Sequence, residues 1–378
     1  MTRTAKAGEL LKGCATGRGT GRFRDRFARQ REPFFYRPLQ DTLHISSLGM
    51  GTYLGDCDEA TDQSYRVSLK AGFAAGLNIV DSAINYRCQR SERCVADAIR
   101  SAIADGTVRR DEIVVCTKGG YIPLDGQPPA TRREYDAFLD AQYFSRGIMT
   151  PGDVVAGGHC IAPAYLTDQI RRSLRNLRLA TIDIYYVHNP EQQLDAVPRP
   201  QFHARMREAF AVLEQAVADG LIGSYGCATW GGFRIPASNR SHLELSELVA
   251  IAREVAGNDH HFRAVQLPIN LAMPEAVRSP TQTGSTGPAT LLQAAAEHGI
   301  AVIASATLMQ GQLTRNLPAK IRDAFPTCST DAQCAADFTR GLPSVTSALI
   351  GMRTLAHLDE QLAAAIRRAE PDVAAQPS

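Results

Sequence analysis

Long hydrophobic runs are missing from this chain. No apolar stretch reaches the roughly 18 residues that would cross a bilayer, and no positively charged start leads into an apolar segment. Neither membrane anchoring nor secretion is expected, and the expected location is cytoplasmic. Charge of one sign is lacking too: 41 Lys and Arg face 39 Asp and Glu, a formal net charge of +2. Without a global field to attract phosphates, nucleic acid is not an expected partner. The nine cysteines are odd in number, irregularly spaced and free of any C-x-x-C pair. That pattern suits a reducing compartment rather than a disulfide framework or a zinc site. His159 with Cys160 and the pair His260-His261 lack the spacing and partners of a metal site, so no metal is predicted.

What the chain has is length and a rhythm. With 378 residues, 44% of them apolar, it can bury one large core. Residues 1–33 carry seven arginines and Gly17, Gly19 and Gly21 without hydrophobic periodicity, and read as a flexible basic arm. An Arg-rich, acid-poor start also fits an organellar transit peptide, although this one is poor in Ser and weakly amphipathic. From about residue 43, eight short apolar runs alternate with stretches of helical period. They begin at Ile45, Leu77, Glu112, Ile182, Ile222, Phe262, Ile300 and Val345 and end at Tyr53, Ala83, Lys118, His188, Ala228, Leu267, Ala306 and Gly351.

Helical candidates such as 60–76 and 204–220 close on Gly76 and Gly220, where left-handed caps belong. A strand, a helix and a stop, repeated eight times, predict a closed α/β barrel, a single-domain (β/α)8 TIM barrel over residues 34–370 with a short tail at 371–378. An open dinucleotide-binding sheet would show G-x-G-x-x-G after its first strand; this chain has Gly49-Met50-Gly51-Thr52-Tyr53 there. The stretch 119–163 after the third strand is too long for an ordinary connection and is expected to form a wall or lid over the catalytic face. Within it Phe138, Tyr143 and Phe144 are candidates for an apolar pocket or for packing the lid down, and Trp230 for flanking substrate or for packing.

Strands two, three and four end in Asp81, Lys118 and His188, with Tyr86 in the loop just beyond Asp81. Taken singly, these are a helix cap, a solvated charge, a satisfied core histidine and a packed aromatic. Together, at the mouth of a barrel, they make an acid device. A hydride reaching a carbonyl carbon leaves an alkoxide that needs a proton, and a phenol with a pKa of about 10 is a weak donor at neutral pH. An ammonium about 4 Å away, at an effective dielectric near 20, supplies roughly 4 kcal/mol, enough to lower that pKa by about three units. Asp81 would hold Lys118 charged, and His188 would orient the carbonyl.

The chain resembles the aldo-keto reductase superfamily from about residue 36 to about 365. The residues that carry the resemblance are Ser47 to Tyr53, Gly76-Leu-Asn-Ile-Val-Asp-Ser-Ala with Tyr86 and Ser91-Glu92, Thr117-Lys118, and Ile182-Asp183 leading to His188. The resemblance implies a catalytic tetrad of Asp81, Tyr86, Lys118 and His188, and NADPH, or NADH, as cofactor across the barrel mouth. It puts the cofactor against Gly51, Thr52, Tyr53, Asp81, Ala228, Thr229, Gln266 and Ser305. It implies the pyrophosphate loop at Leu308, Gln310, Gly311 and Gln312. The adenosine end falls on Gly351, Met352, Arg353, His357, Glu360 and Gln361, with Arg353 as a partner for a 2′-phosphate.

Three departures stand out: Ala228-Thr229 where a Ser-Asn pair is usual, Ser305 where an aromatic commonly stacks on the nicotinamide with Thr307 in place of the following Pro, and the long insertion. The reading is an oxidoreductase reducing a small-molecule aldehyde, ketone or sugar-like carbonyl. A low-turnover NADPH-binding regulatory subunit is the alternative, and a lyase or isomerase on the same barrel is a third.

Overall fold

The computed structural model describes residues 10–39, 42–126 and 128–365. Eight parallel strands close into a barrel: β1 Leu48–Gly51, β2 Ile79–Asp81, β3 Val114–Gly119, β4 Ile182–His188, β5 Ile222–Ala228, β6 Phe262–Pro268, β7 Ala301–Ser305 and β8 Val345–Ile350, with β8 pairing back onto β1. Alternation sorts their side chains. Ile79, Val114, Cys116, Ile184, Tyr186, Ala264 and Ile303 fill the lumen, while Val80, Val115, Val187, Cys227 and Val265 pack outward against the helices. The fold class expected from the eight runs is the fold observed.

The expected helix 60–76 is Glu59–Ala74, capped by Asp58, whose carboxylate accepts from the Thr61 amide at 2.8 Å. The chain then turns through Gly76 at φ 94°, a conformation that favours glycine. The expected helix 204–220 is Arg199–Ala218, one turn longer at its start, with Gly220 at φ 70°. Among the described residues no helix is long and apolar enough to cross a membrane, and no group of three or more His, Cys, Asp or Glu side chains could hold a metal ion.

Two expectations are corrected and a third is narrowed. The run expected as one strand from Ile45 to Tyr53 divides at Ser46–Ser47. Its first part, Leu43–Ser46, pairs antiparallel with Tyr36–Leu39, and Leu39, Leu43 and Ile45 of this hairpin join the lumen cluster and plug the barrel floor.

The segment expected as a mobile arm is, from residue 10 onward, packed structure. Thr16 caps a helix over Gly17–Phe27, Phe23 is wholly buried, and two of the helix's arginines reach across to the barrel, Arg22 to Asp111 and Glu112 and Arg26 to Glu112. The Ala15 amide donates to Asp183 at 2.6 Å. Glycine in this helix lowers its local propensity but permits close approach, since a Cβ on Gly19 would lie 2.0 Å from the Asp111 carbonyl oxygen. Tertiary contact overrides what local sequence disfavours. Residues 1–9 of the expected arm and the tail 371–378 lie outside the described residues.

Of the wall or lid expected of the insertion, it supplies wall: Tyr121 at its start lines the barrel-mouth cavity, and the remainder folds on itself rather than over the mouth. It carries a helix over Arg132–Leu139 that runs into a wider turn over Asp140–Phe144, and its Ile122, Leu139, Tyr143, Met149 and Cys160 bury a small core against Tyr165 of the next helix. Phe138, Tyr143 and Phe144 pack into that core and line no part of the barrel-mouth cavity.

Candidate active site

At the C-terminal end of the barrel the strand register brings distant residues level. Gly51 stands beside Asp81, Asp81 beside Cys116, and both Ala228–His188 and Ala228–Gln266 are neighbours. Strand alternation then aims Lys118 into the lumen, two residues above Cys116. Its ammonium donates to Asp81 Oδ2 at 2.6 Å and to the Ser82 carbonyl at 2.8 Å, while Asp81 Oδ1 accepts from Gln266 Nε2 at 2.8 Å. Lys118 is 1% exposed and Asp81 4%, so this is a buried ion pair with every carboxylate oxygen engaged.

Tyr86 lies over it, with Lys118 Nζ 4.9 Å from the ring centre. The Tyr86 ring meets His188 edge-on at 5.9 Å and Tyr53 at 4.9 Å. The four side chains that the acid argument selected are together.

Burial alone pulls the Lys118 ammonium down, but the Asp81 carboxylate and the Tyr86 phenol outweigh it and leave it raised, hence charged. Burial, joined by the charge of Lys118 and by His159, holds His188 well below the ordinary histidine value, so its imidazole is neutral. Tyr86 runs against expectation. Burial pushes the phenol above its ordinary value, and Lys118, pulling the other way, does not make up the difference. Attraction to the ammonium favours the phenolate, desolvation of the phenolate opposes it, and desolvation wins here.

A cavity of about 730 Å³ opens above these groups. Of the residues expected around a cofactor, Gly51, Thr52, Tyr53, Asp81, Ala228, Thr229, Gln266, Ser305, Leu308, Gln310, Gly311, Gly351, His357, Glu360 and Gln361 line it. Gln312, Met352 and Arg353 do not. Met352 is buried and its carbonyl accepts from the Ser68 hydroxyl, while the guanidinium of Arg353 lies beside Gly55, 3.0 Å from where a Cβ there would stand.

The cavity wall also holds residues that sequence reasoning did not place there, above all Asn85, Tyr121 and Asn189. Tyr121 meets the His188 ring at 4.9 Å and its hydroxyl accepts from Asn189 Nδ2 at 2.8 Å. Only its place just past Lys118 hinted at this. Trp230 lines the mouth, 49% exposed, and its amide together with those of Gly231 and Gly232 donates to Glu191 Oε1 at 2.8 to 3.2 Å. A buried carboxylate thus shapes the loop after β5.

A closed eight-stranded α/β barrel whose mouth gathers Asp, Tyr, Lys and His defines the class. The chain belongs to the aldo/keto reductase family, whose model matches residues 47–327. Prostaglandin F synthase 1 of Bos taurus is 30% identical over 152 residues, 40% of this chain and 34% of that protein. Prostaglandin-E(2) 9-reductase of Oryctolagus cuniculus is 39% identical over 88 residues, 23% of this chain and 26% of that one. The chain therefore spans about a third or less of the length of these relatives.

Among solved structures, an aldo/keto reductase from Klebsiella pneumoniae in complex with NADP and acetate aligns with a TM-score of 0.58 at 19% identity, covering 87% of this chain and 89% of that one. The holo form of an aldo-keto reductase from Bacillus halodurans aligns at 0.56 and 18%, covering 90% and 92%. At such identity these likenesses establish a shared fold.

Proposed function

We propose that this protein is a cytoplasmic NADP(H)-dependent oxidoreductase that reduces a small-molecule aldehyde, ketone or sugar-like carbonyl to the alcohol. The observation that carries the reading is the charged Lys118–Asp81 pair buried directly beneath Tyr86, with the neutral His188 imidazole at the other edge of the phenol.

The wall of the cavity suits a dinucleotide. Thr229 Oγ1, Thr307 Oγ1 and Gln361 Oε1 are buried without a partner among the described residues, and such atoms are rare unless a ligand or water satisfies them. Gln310 and Gly311 run through the left-handed region at φ 54° and 89°, with open space beside Gly311 for an approaching diphosphate. Thr229 and Gln266 would hold the carboxamide, Leu308, Gln310 and Gly311 the diphosphate, and His357, Glu360 and Gln361 the adenosine. The bound nicotinamide supplies the hydride.

The protein's own residues do the rest. His188 and Tyr86 offer hydrogen bonds that orient the carbonyl oxygen. Tyr86 gives its proton to that oxygen as negative charge develops there. Burial raises the phenol, and the alkoxide developing beside it is the base that takes its proton. Lys118 stabilises the phenolate left behind, and Asp81 keeps Lys118 charged.

Ala228, Thr229 and Ser305 stand where the resemblance calls for other side chains, and this favours the second reading, a regulatory NADPH-binding subunit of low turnover. NADPH consumption over a panel of aldehydes, with Tyr86→Phe alongside, separates the two. A reductase loses about 10²- to 10⁴-fold in kcat on that change while still binding NADPH. Turnover that is already negligible, or unaffected by the change, overturns the first reading.

A further inference from the structure

Of the nine cysteines, Cys94, Cys116, Cys160, Cys227 and Cys334 are buried, and Cys14 and Cys328 are half-buried. Cys57 is exposed, Cys88 is half-buried, and their sulfur atoms lie 3.6 Å apart although 31 residues separate them in the chain. Each sits one residue ahead of a helix cap, Cys57 before Asp58 and Cys88 before Gln89. They belong to the first two strand-to-helix loops of the catalytic face, the loops that carry Tyr53 and Tyr86.

The approach of the two sulfurs is built in. Arg87 donates from Nε to the Asp56 carbonyl at 2.9 Å and pairs with Asp62, both groups of that pair being nearly inaccessible. The residue before Cys88 is therefore fastened to the residue before Cys57. Arg87, Cys88 and Gln89 all have left-handed backbone, φ 48°, 51° and 68°, which is uncommon for three successive non-glycine residues and turns the Cys88 side chain toward its partner.

We propose that Cys57 and Cys88 form a redox-active dithiol that closes to a disulfide across the catalytic mouth when the protein meets a hydroperoxide. Two thiols are too few ligands for a structural metal, and no third His, Cys, Asp or Glu joins them among the described residues. Cys57, the accessible member, is the nucleophile. Its thiolate attacks the distal peroxide oxygen, the O–O bond breaks, and the alkoxide takes up a proton and leaves as the alcohol, with Cys57 now a sulfenic acid. Cys88 sulfur then attacks Cys57 sulfur, the S–O bond breaks, and hydroxide leaves with the Cys88 proton as water. One hydroperoxide is reduced by two electrons and two thiols are oxidised to one disulfide.

The division of labour follows from surroundings. Burial, the neighbouring Cys57 and Asp125 push the Cys88 thiol up to about 11, which leaves the first attack to Cys57. Cys328 is different: it donates to Asp337 at 3.3 Å, and burial together with that carboxylate pushes it up to about 12.

The test uses the full chain, reduced and then given one molar equivalent of hydrogen peroxide. Thiol titration under denaturing conditions should fall from nine to seven. Peptide mass mapping should find one cross-link joining the Cys57 and Cys88 peptides, reversed by dithiothreitol and absent from Cys57→Ser and Cys57→Ala variants that melt like the wild type. Nine surviving thiols, a sulfinic acid on Cys57 with Cys88 still free, or a cross-link joining Cys328 to Cys334 would each overturn the proposal. Neither readout involves turnover, so the outcome stands apart from the reductase reading.

Discussion

His159 Nε2 donates to the backbone carbonyl oxygen of His188 at 2.6 Å. The insertion thus reaches the active site twice, through Tyr121 in the cavity wall and through His159, which holds the strand end that presents the imidazole. Gln193 Nε2 donates to His159 Nδ1 at 2.8 Å, which assigns the proton of the neutral ring to Nε2, and Arg205 in turn donates to Gln193. Gly120 is what lets the loop come so near, because a Cβ there would stand 2.8 Å from the same carbonyl oxygen.

Replacing His159 by Ala is expected to strand the His188 carbonyl and the Gln193 amide, destabilising the fold by about 2 to 5 kcal/mol. Chemical denaturation checks this. Burial lowers His159 from 6.5 to about 4, and the sign follows: between these values the unfolded chain binds the extra proton. Its contribution is complete above pH 6.5 and is lost as the pH falls through 4. The wild type should lose on the order of 3 kcal/mol more than His159→Gln over that window.

A phenol raised by burial has opposite consequences in the two directions of the reaction. Tyr86 stays protonated through the neutral and mildly alkaline range, so carbonyl reduction should be flat there, while alcohol oxidation, which needs the phenolate, should climb as the pH rises. Lys118→Met removes the pull of the ammonium and should move the oxidative limb to still higher pH. Steady-state kcat profiles in both directions decide it; an oxidative limb that levels off near neutrality would show that Lys118 outweighs burial.

Arg353 stands outside the cavity wall, just ahead of the Thr354 cap of the helix whose His357 lines it. If it reaches the 2′-phosphate, Arg353→Ala should raise KM for NADPH by about tenfold, the value of one charge-assisted contact, and leave KM for NADH unchanged. Equal changes for both cofactors would assign the residue to the packing around Gly55 and Tyr65 instead.

Phe23 tests the N-terminal segment. It is wholly buried, with Phe27 at 5.0 Å and Tyr36 at 6.3 Å between ring centres. Phe23→Ala should cost about 3 to 5 kcal/mol in thermal or chemical unfolding. A mobile arm would tolerate the change within about 0.5 kcal/mol.

Much of this molecule was legible before folding. Eight apolar runs bounded by helical stretches and glycine stops determined a closed barrel, because strand period, helix period and cap conformation are local properties of the chain. The positions of Asp81, Lys118 and His188 at run ends determined that they meet, because parallel strands of a barrel all point their C-terminal ends at one mouth. Tertiary structure alone decided the rest. It packed residues 10–27, with their helix over Gly17–Phe27, by bringing Asp111 and Glu112 to their arginines, folded most of the insertion onto a core, and set Cys57 beside Cys88. It also reversed the direction of the Tyr86 shift. The physical reason is common to all four: burial and pairing are sums over neighbours far away in the chain, and no local pattern records how much water those neighbours exclude.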